Sequence, residues 1–135
     1  MTDKFETQID KFIINTEEKM LVVVREAIDA VIEEAQTPKD EGGKMRVDTG
    51  FLRASGVAQI GKMPSGPSVG DKKQTYEWAT DQLGPILASF KIGDVFYFGW
   101  TAKYARVRET YDGFLDAAAQ NWQSHINDAI KRFKK

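Results

Sequence analysis

The chain has no cysteine and a single histidine, His125. That removes disulfides and thiolate metal sites, and it leaves any metal ion to carboxylates. Hydrophobic runs are short: none approaches the roughly 20 apolar residues that a membrane-spanning helix needs. Only 4 prolines occur in 135 residues, so long uninterrupted helices are permitted. The N-terminal Met-Thr-Asp-Lys-Phe-Glu lacks the basic and apolar regions of a secretory signal. The expectation is one domain, residues 1–135, made and used in a cytoplasm and with no membrane contact.

What is present is ordinary in amount and uneven in placement. The net charge is -1, yet residues 1–41 hold 5 Lys/Arg against 11 Asp/Glu, whereas residues 42–135 hold 14 against 9. An acidic beginning and a basic remainder suit head-to-tail association.

The periodicities predict an α+β fold in which two long helices, N- and C-terminal, pack on a small antiparallel sheet with one or two short helices. Phe5, Ile9, Phe12, Thr16, Met20, Val23, Ala27, Val31 and Ala35 recur at spacings of three and four, predicting a helix over 3–36 that Pro38 ends. Such a helix would be about 50 Å long, and its Met20–Val24 run is apolar all round. It therefore expects cover on every side, from the domain or from a neighbour. Asp48 reads as the cap of a short helix through Phe51, Leu52 and Ser55, with Gly56 as its stop. In that reading Leu52 turns inward and Arg53 outward. Strands are predicted near 57–60 and 93–100, the second chiefly from Val-Phe-Tyr-Phe-Gly-Trp after a turn at Gly93-Asp94. Between them, the glycine- and proline-containing stretch 61–73 is expected to be a mobile loop, and 74–89 a helix kinked at Pro85. Residues 102–110 suggest a short helix or an irregular segment. Asp112 is expected to cap a final helix to Phe133 with the stripe Leu115, Ala118, Trp122, Ile126, Ala129 and Phe133.

Two stretches imitate catalytic signatures. Asp48-Thr49-Gly50 is the aspartic-protease tripeptide, but there two aspartates share a proton between strands, and here a helical pattern follows. Gly56 through Met63 has Walker A spacing but carries Met63 where the magnesium-binding hydroxyl belongs, and Pro64 follows it. His125 has no partner type for a metal site and reads as a structural histidine. No nucleophile–base pair stands out, so the expectation is a chain that is not an enzyme and uses no cofactor. Arg46, Arg53, Trp100, Tyr104, Arg106 and Arg108 remain as interface candidates. Aromatic and arginine side chains of this kind dominate protein–protein hot spots, and the same mixture suits single-stranded nucleic acid.

The order of these signals resembles a known family. An acidic helix is followed by Val47-Asp48-Thr49-Gly50-Phe51-Leu52-Arg53-Ala54-Ser55. The aromatic strand to Trp100, Tyr104-Ala105-Arg106-Val107-Arg108-Glu109, Gly113-Phe114-Leu115 and a closing helix come after. This is similar to the small neck and tail-completion proteins of long-tailed bacteriophages and prophages, with Asp48, Thr49 and Gly50 as the clearest marker. Family members often continue Glu-Tyr-Gly where this chain has Glu109-Thr110-Tyr111. The resemblance implies a structural subunit of the virion, at the neck or tail top. It would form a ring, commonly a hexamer, contacting the head connector or adaptor, the tail-tube protein and, passively, the DNA in the channel.

Overall fold

A computed structural model describes residues 17–134. The part of the first helix expected before Glu17, including Phe5, Ile9 and Phe12, lies outside the described residues. Helix α1 runs Glu17–Gln36 and buries Val23, Ala27, Ile32 and Ala35. Pro38 ends it as expected, and Thr37 closes the last turn by donating its hydroxyl to the Glu33 carbonyl at 2.6 Å. Short helix α2 is Phe51–Ala54. Strand β1 is Gly56–Ile60 and pairs antiparallel with β2, Phe96–Trp100, in the register Gly56 to Trp100 through Ile60 to Phe96. Helix α3 (Leu83–Ser89) lies between the strands. Helices α4 (Ala105–Asp112), α5 (Phe114–Gln120) and α6 (Trp122–Lys134) finish the chain.

The fold is thus α+β, with a two-stranded sheet and α6 antiparallel to α1: Glu34 meets His125 at one end and Glu26 meets Arg132 at the other. A two-stranded sheet is marginal by itself. Here its Ala58 joins Ile32 of α1 and Leu83 and Leu87 of α3, with Phe96 and Phe98 against them. A second cluster joins Val23 and Ala27 to Ile126, Ala129 and Ile130. A third gathers Met45, Phe51, Leu52, Ala102 and Phe114 under Trp100.

Several sequence expectations are corrected. Residues 74–79 are not helical; a single tight turn at Thr80–Gln82 leads into α3. Pro85 does not kink that helix, because it sits in the first turn, where the amide it lacks has no intrahelical acceptor. The closing helix is interrupted at Asn121. Asp112 does not cap it. Asp112 is the last residue of α4, and Glu109 caps α5 instead, accepting the N–H groups of Leu115 and Asp116 at 2.8 and 3.0 Å. The buried member of the Phe114-Leu115 pair is Phe114; Leu115, Trp122 and Phe133 are exposed. The stretch 61–73 forms no helix or strand and is bonded to its surroundings at several points. Thr101 donates its hydroxyl to the Pro67 carbonyl, Lys103 its N–H to Ser68, and Asp71 its N–H to the Tyr76 phenol. No described helix is long and apolar enough to cross a membrane.

Candidate protein interface at residues 46–53 and helix α4

The Val47–Ser55 stretch is shaped by its glycine. Gly50 has φ +88°, and a Cβ on it would sit 2.2 Å from the Tyr76 carbonyl oxygen. Both the left-handed conformation and the crossing backbone therefore demand glycine. The crossing is fixed by the Tyr76 N–H donating to the Thr49 carbonyl at 2.8 Å. Gly50, not Asp48, is the residue before the helix, and no side chain caps α2 in the usual way. The Thr49 hydroxyl oxygen accepts the Phe51 N–H at 3.3 Å in a local turn. Asp48 is left exposed.

Seven of the nine residues singled out in the sequence line one cleft of ≈ 260 Å³: Arg46, Asp48, Thr49, Gly50, Arg53, Tyr104 and Arg108. Their roles differ from those expected. Arg53 is not a free outward arm. Its Nε donates to the Gln36 carbonyl at 2.7 Å, and its guanidinium lies 5.5 Å from the centre of the Trp78 ring. Trp100 is not a surface anchor. Its indole N–H donates to Gln36 Oε1 at 2.8 Å, and its ring meets Phe114 edge-on at 4.9 Å. Gln36 completes this knot by donating Nε2 to the Arg53 carbonyl at 2.9 Å. Nothing in the spacing marks Gln36, a polar residue at the end of a helix, as a fully buried hub at 0% exposure. Gly56 is required beside it, since a Cβ there would approach Gln36 Nε2 to 2.5 Å.

Arg108 pairs with Asp112 at 2.5 Å, and Asp112 also accepts the Arg46 N–H at 3.3 Å. The second bond ties α4 to the 46–53 stretch, and the first, within α4, orients the Asp112 carboxylate for it. Burial, and then the nearby Asp48 carboxylate, push the Tyr104 phenol above its ordinary pKa, while a hydrogen bond from the Leu52 backbone pulls it partway back. Arg106 stands on the exposed side of α4, away from the cleft.

Helix α4 has no buried residue. The positions it turns toward the domain are Ala105, Arg108, Glu109 and Asp112, all half-buried. Those it turns outward are Val107 and Tyr111, exposed by 55% and 77%, while Tyr104 just before the helix leans on the 46–53 stretch. A helix on a small domain normally does the reverse. Val107 and Tyr111 escaped notice in the sequence because periodicity shows that a stripe exists, not which way it faces.

The two catalytic look-alikes behave as ordinary structure. Asp48 faces a phenol, not a second carboxylate. Gly56–Met63 is a strand and a turn that open no helix. His125 bonds Glu34 at 2.8 Å, and no group of three or more His, Asp or Glu among the described residues is placed to hold a metal ion. No protein-family model, curated protein or solved structure matches the chain.

Proposed function

We propose that this chain is a structural protein of a bacteriophage or prophage head–tail junction. It would be a tail-completion, tail-terminator or neck subunit that forms a ring and joins the tail tube to the head connector. It works without a cofactor and catalyses no reaction. It assembles in the host cytoplasm and ends in the virion. The observation that carries the reading is Val47–Ser55, whose resemblance to the family is strongest, lying against a helix that turns its apolar stripe to solvent. The uneven charge adds to it, because a ring closes through a heterologous contact between two different faces of each subunit.

The alternative, nucleic-acid binding through Arg46, Arg53, Trp100, Tyr104, Arg106 and Arg108, has less support. Arg53 and Trp100 are committed to Gln36, and Arg108 is paired. The test is to mix the purified chain with phage tails that lack their top ring, sediment them, and image them in negative stain. Co-sedimentation with a collar at one tail end is expected. Chain that stays in the supernatant with tails and heads alike, yet binds single-stranded DNA, would reverse the preference. Because phosphate contacts weaken steeply with salt, DNA binding is measured at two salt concentrations.

A further inference from the structure

We propose that the outward side of α4, Val107 and Tyr111, docks on the acidic outer face of α1 in a second copy of this chain, with Arg106 set against that copy's Asp29 and Glu33. The inference rests on the ring-subunit reading and names the two faces that meet.

The first argument is the reversed amphipathicity of α4. An eight-residue helix is too short to persist by propensity, and this one buries no side chain. Its place is held by the Asp112 and Glu109 carboxylates, which accept the N–H groups of Arg46 and Leu115, and by Ala105 against the core. Building a helix this way, with Val107 and Tyr111 in water, adds little to folding. It makes sense when a partner removes those groups from water, at roughly 25 cal/mol per Å² buried. Tyrosines flanked by arginine are also the side chains that concentrate binding energy at interfaces.

The second argument is charge. Arg106, next to Val107 in the helix, and Lys103 just before it are exposed, in the part of the chain that is net basic. The complementary surface lies in the same molecule. Asp29 and Glu33 are exposed one turn apart on α1 and make no ion pair among the described residues. Like charges at this spacing destabilise a helix. Burial, and then Glu26, push the Asp29 carboxyl above its ordinary pKa, so this face is one that a cation would relieve. Two faces on different sides of one subunit make a heterologous contact, which closes into a ring when the rotation allows.

The experiment is a charge swap read by light scattering after size exclusion. Arg106→Glu alone, and Asp29→Lys with Glu33→Lys alone, should each weaken self-association by about tenfold or more, since each sets like charges together. An equimolar mixture of the two variants should assemble again, because each kind of contact in an alternating ring then joins opposite charges. Circular dichroism melting checks that both remain folded. Tyr111→Ser supplies a charge-neutral variant and should also weaken association. A mixture that stays apart while the wild type forms rings overturns the α4–α1 pairing and leaves the ring reading standing. Wild type that stays monomeric at its highest soluble concentration also overturns the pairing. The head–tail reading then depends on the co-sedimentation with tails alone. Variants that keep their rings but lose DNA binding would assign the stripe to nucleic acid and overturn the proposal.

Discussion

Helices α1 and α4 are both amphipathic, and they treat the domain in opposite ways. α1 presses Val23 and Ala27 against Ile126, Ala129 and Ile130 and leaves Asp29 and Glu33 in water. α4 turns Arg108, Glu109 and Asp112 inward and leaves Val107 and Tyr111 in water. The first arrangement is driven by removing apolar area from solvent. The second is held largely by the hydrogen bonds that Asp112 and Glu109 accept, each contributing on the order of 1 kcal/mol net. A chain that spends its apolar stripe on folding in one helix and withholds it in another separates stability from binding. Substitutions in the two helices should therefore separate as well.

The largest effect is expected in the α1–α6 pair. Ile126→Ala removes a side chain that is 2% exposed and should cost about 2–5 kcal/mol, measured by urea unfolding. Association per folded molecule should be unchanged. Equal losses in both readouts would erase the distinction between the two helices. Next comes Gln36→Leu, which strips the Trp100 indole and the Arg53 carbonyl of their buried partner. A cost of about 1–3 kcal/mol per orphaned group is expected. A neutral result would show that water reaches the knot.

The bonds that hold α4 come third. Asp112→Ala breaks the pair with Arg108 and the bond to the Arg46 N–H and should cost roughly 1–2 kcal/mol. It should also raise amide exchange in residues 104–112 before the α1–α6 pair is affected. Val107→Ser is the sharpest contrast. It should change unfolding by no more than about 0.5 kcal/mol while weakening self-association. A large loss of stability would mean that the stripe is used within the subunit.

The smallest effect concerns Asp48. Asp48→Asn removes a charge that raises the Tyr104 pKa, so the phenol should titrate at lower pH in ultraviolet difference absorbance. The sign follows from the shift. Tyr104 is favoured in its neutral form by the folded state. Its contribution is complete below the ordinary tyrosine value and fades as pH rises through the raised one. The window is therefore alkaline, and near neutrality the substitution should leave stability unchanged. An altered melting point at neutral pH would give Asp48 a role beyond this contact.

Much of the fold was legible in the residues. The first helix ends where Pro38 ends it, and both strands form where β-prone residues cluster. The helix boundaries near 74–89 and 112–133 were less so. Gly84-Pro85 reads equally as a kink or as a first turn, and Asp112, Gly113 and Glu109 compete for the same end. At the candidate site, the residue types around 46–53 and 104–108 were visible. The commitments of Arg53 and Trp100 were not, because their common partner, Gln36, is distant in sequence.

Local pattern alone was enough to place the first helix's end and both strands and to separate acidic from basic parts, since sterics, periodicity and charge are encoded within a few residues. Only packing could settle which stripe faces inward. Every apolar face competes for one small core, and the outcome depends on all of them together. In that competition α1, α5 and α6 took the core, Gln36 was drawn in to satisfy Trp100 and Arg53, and the stripe of α4 was left outside.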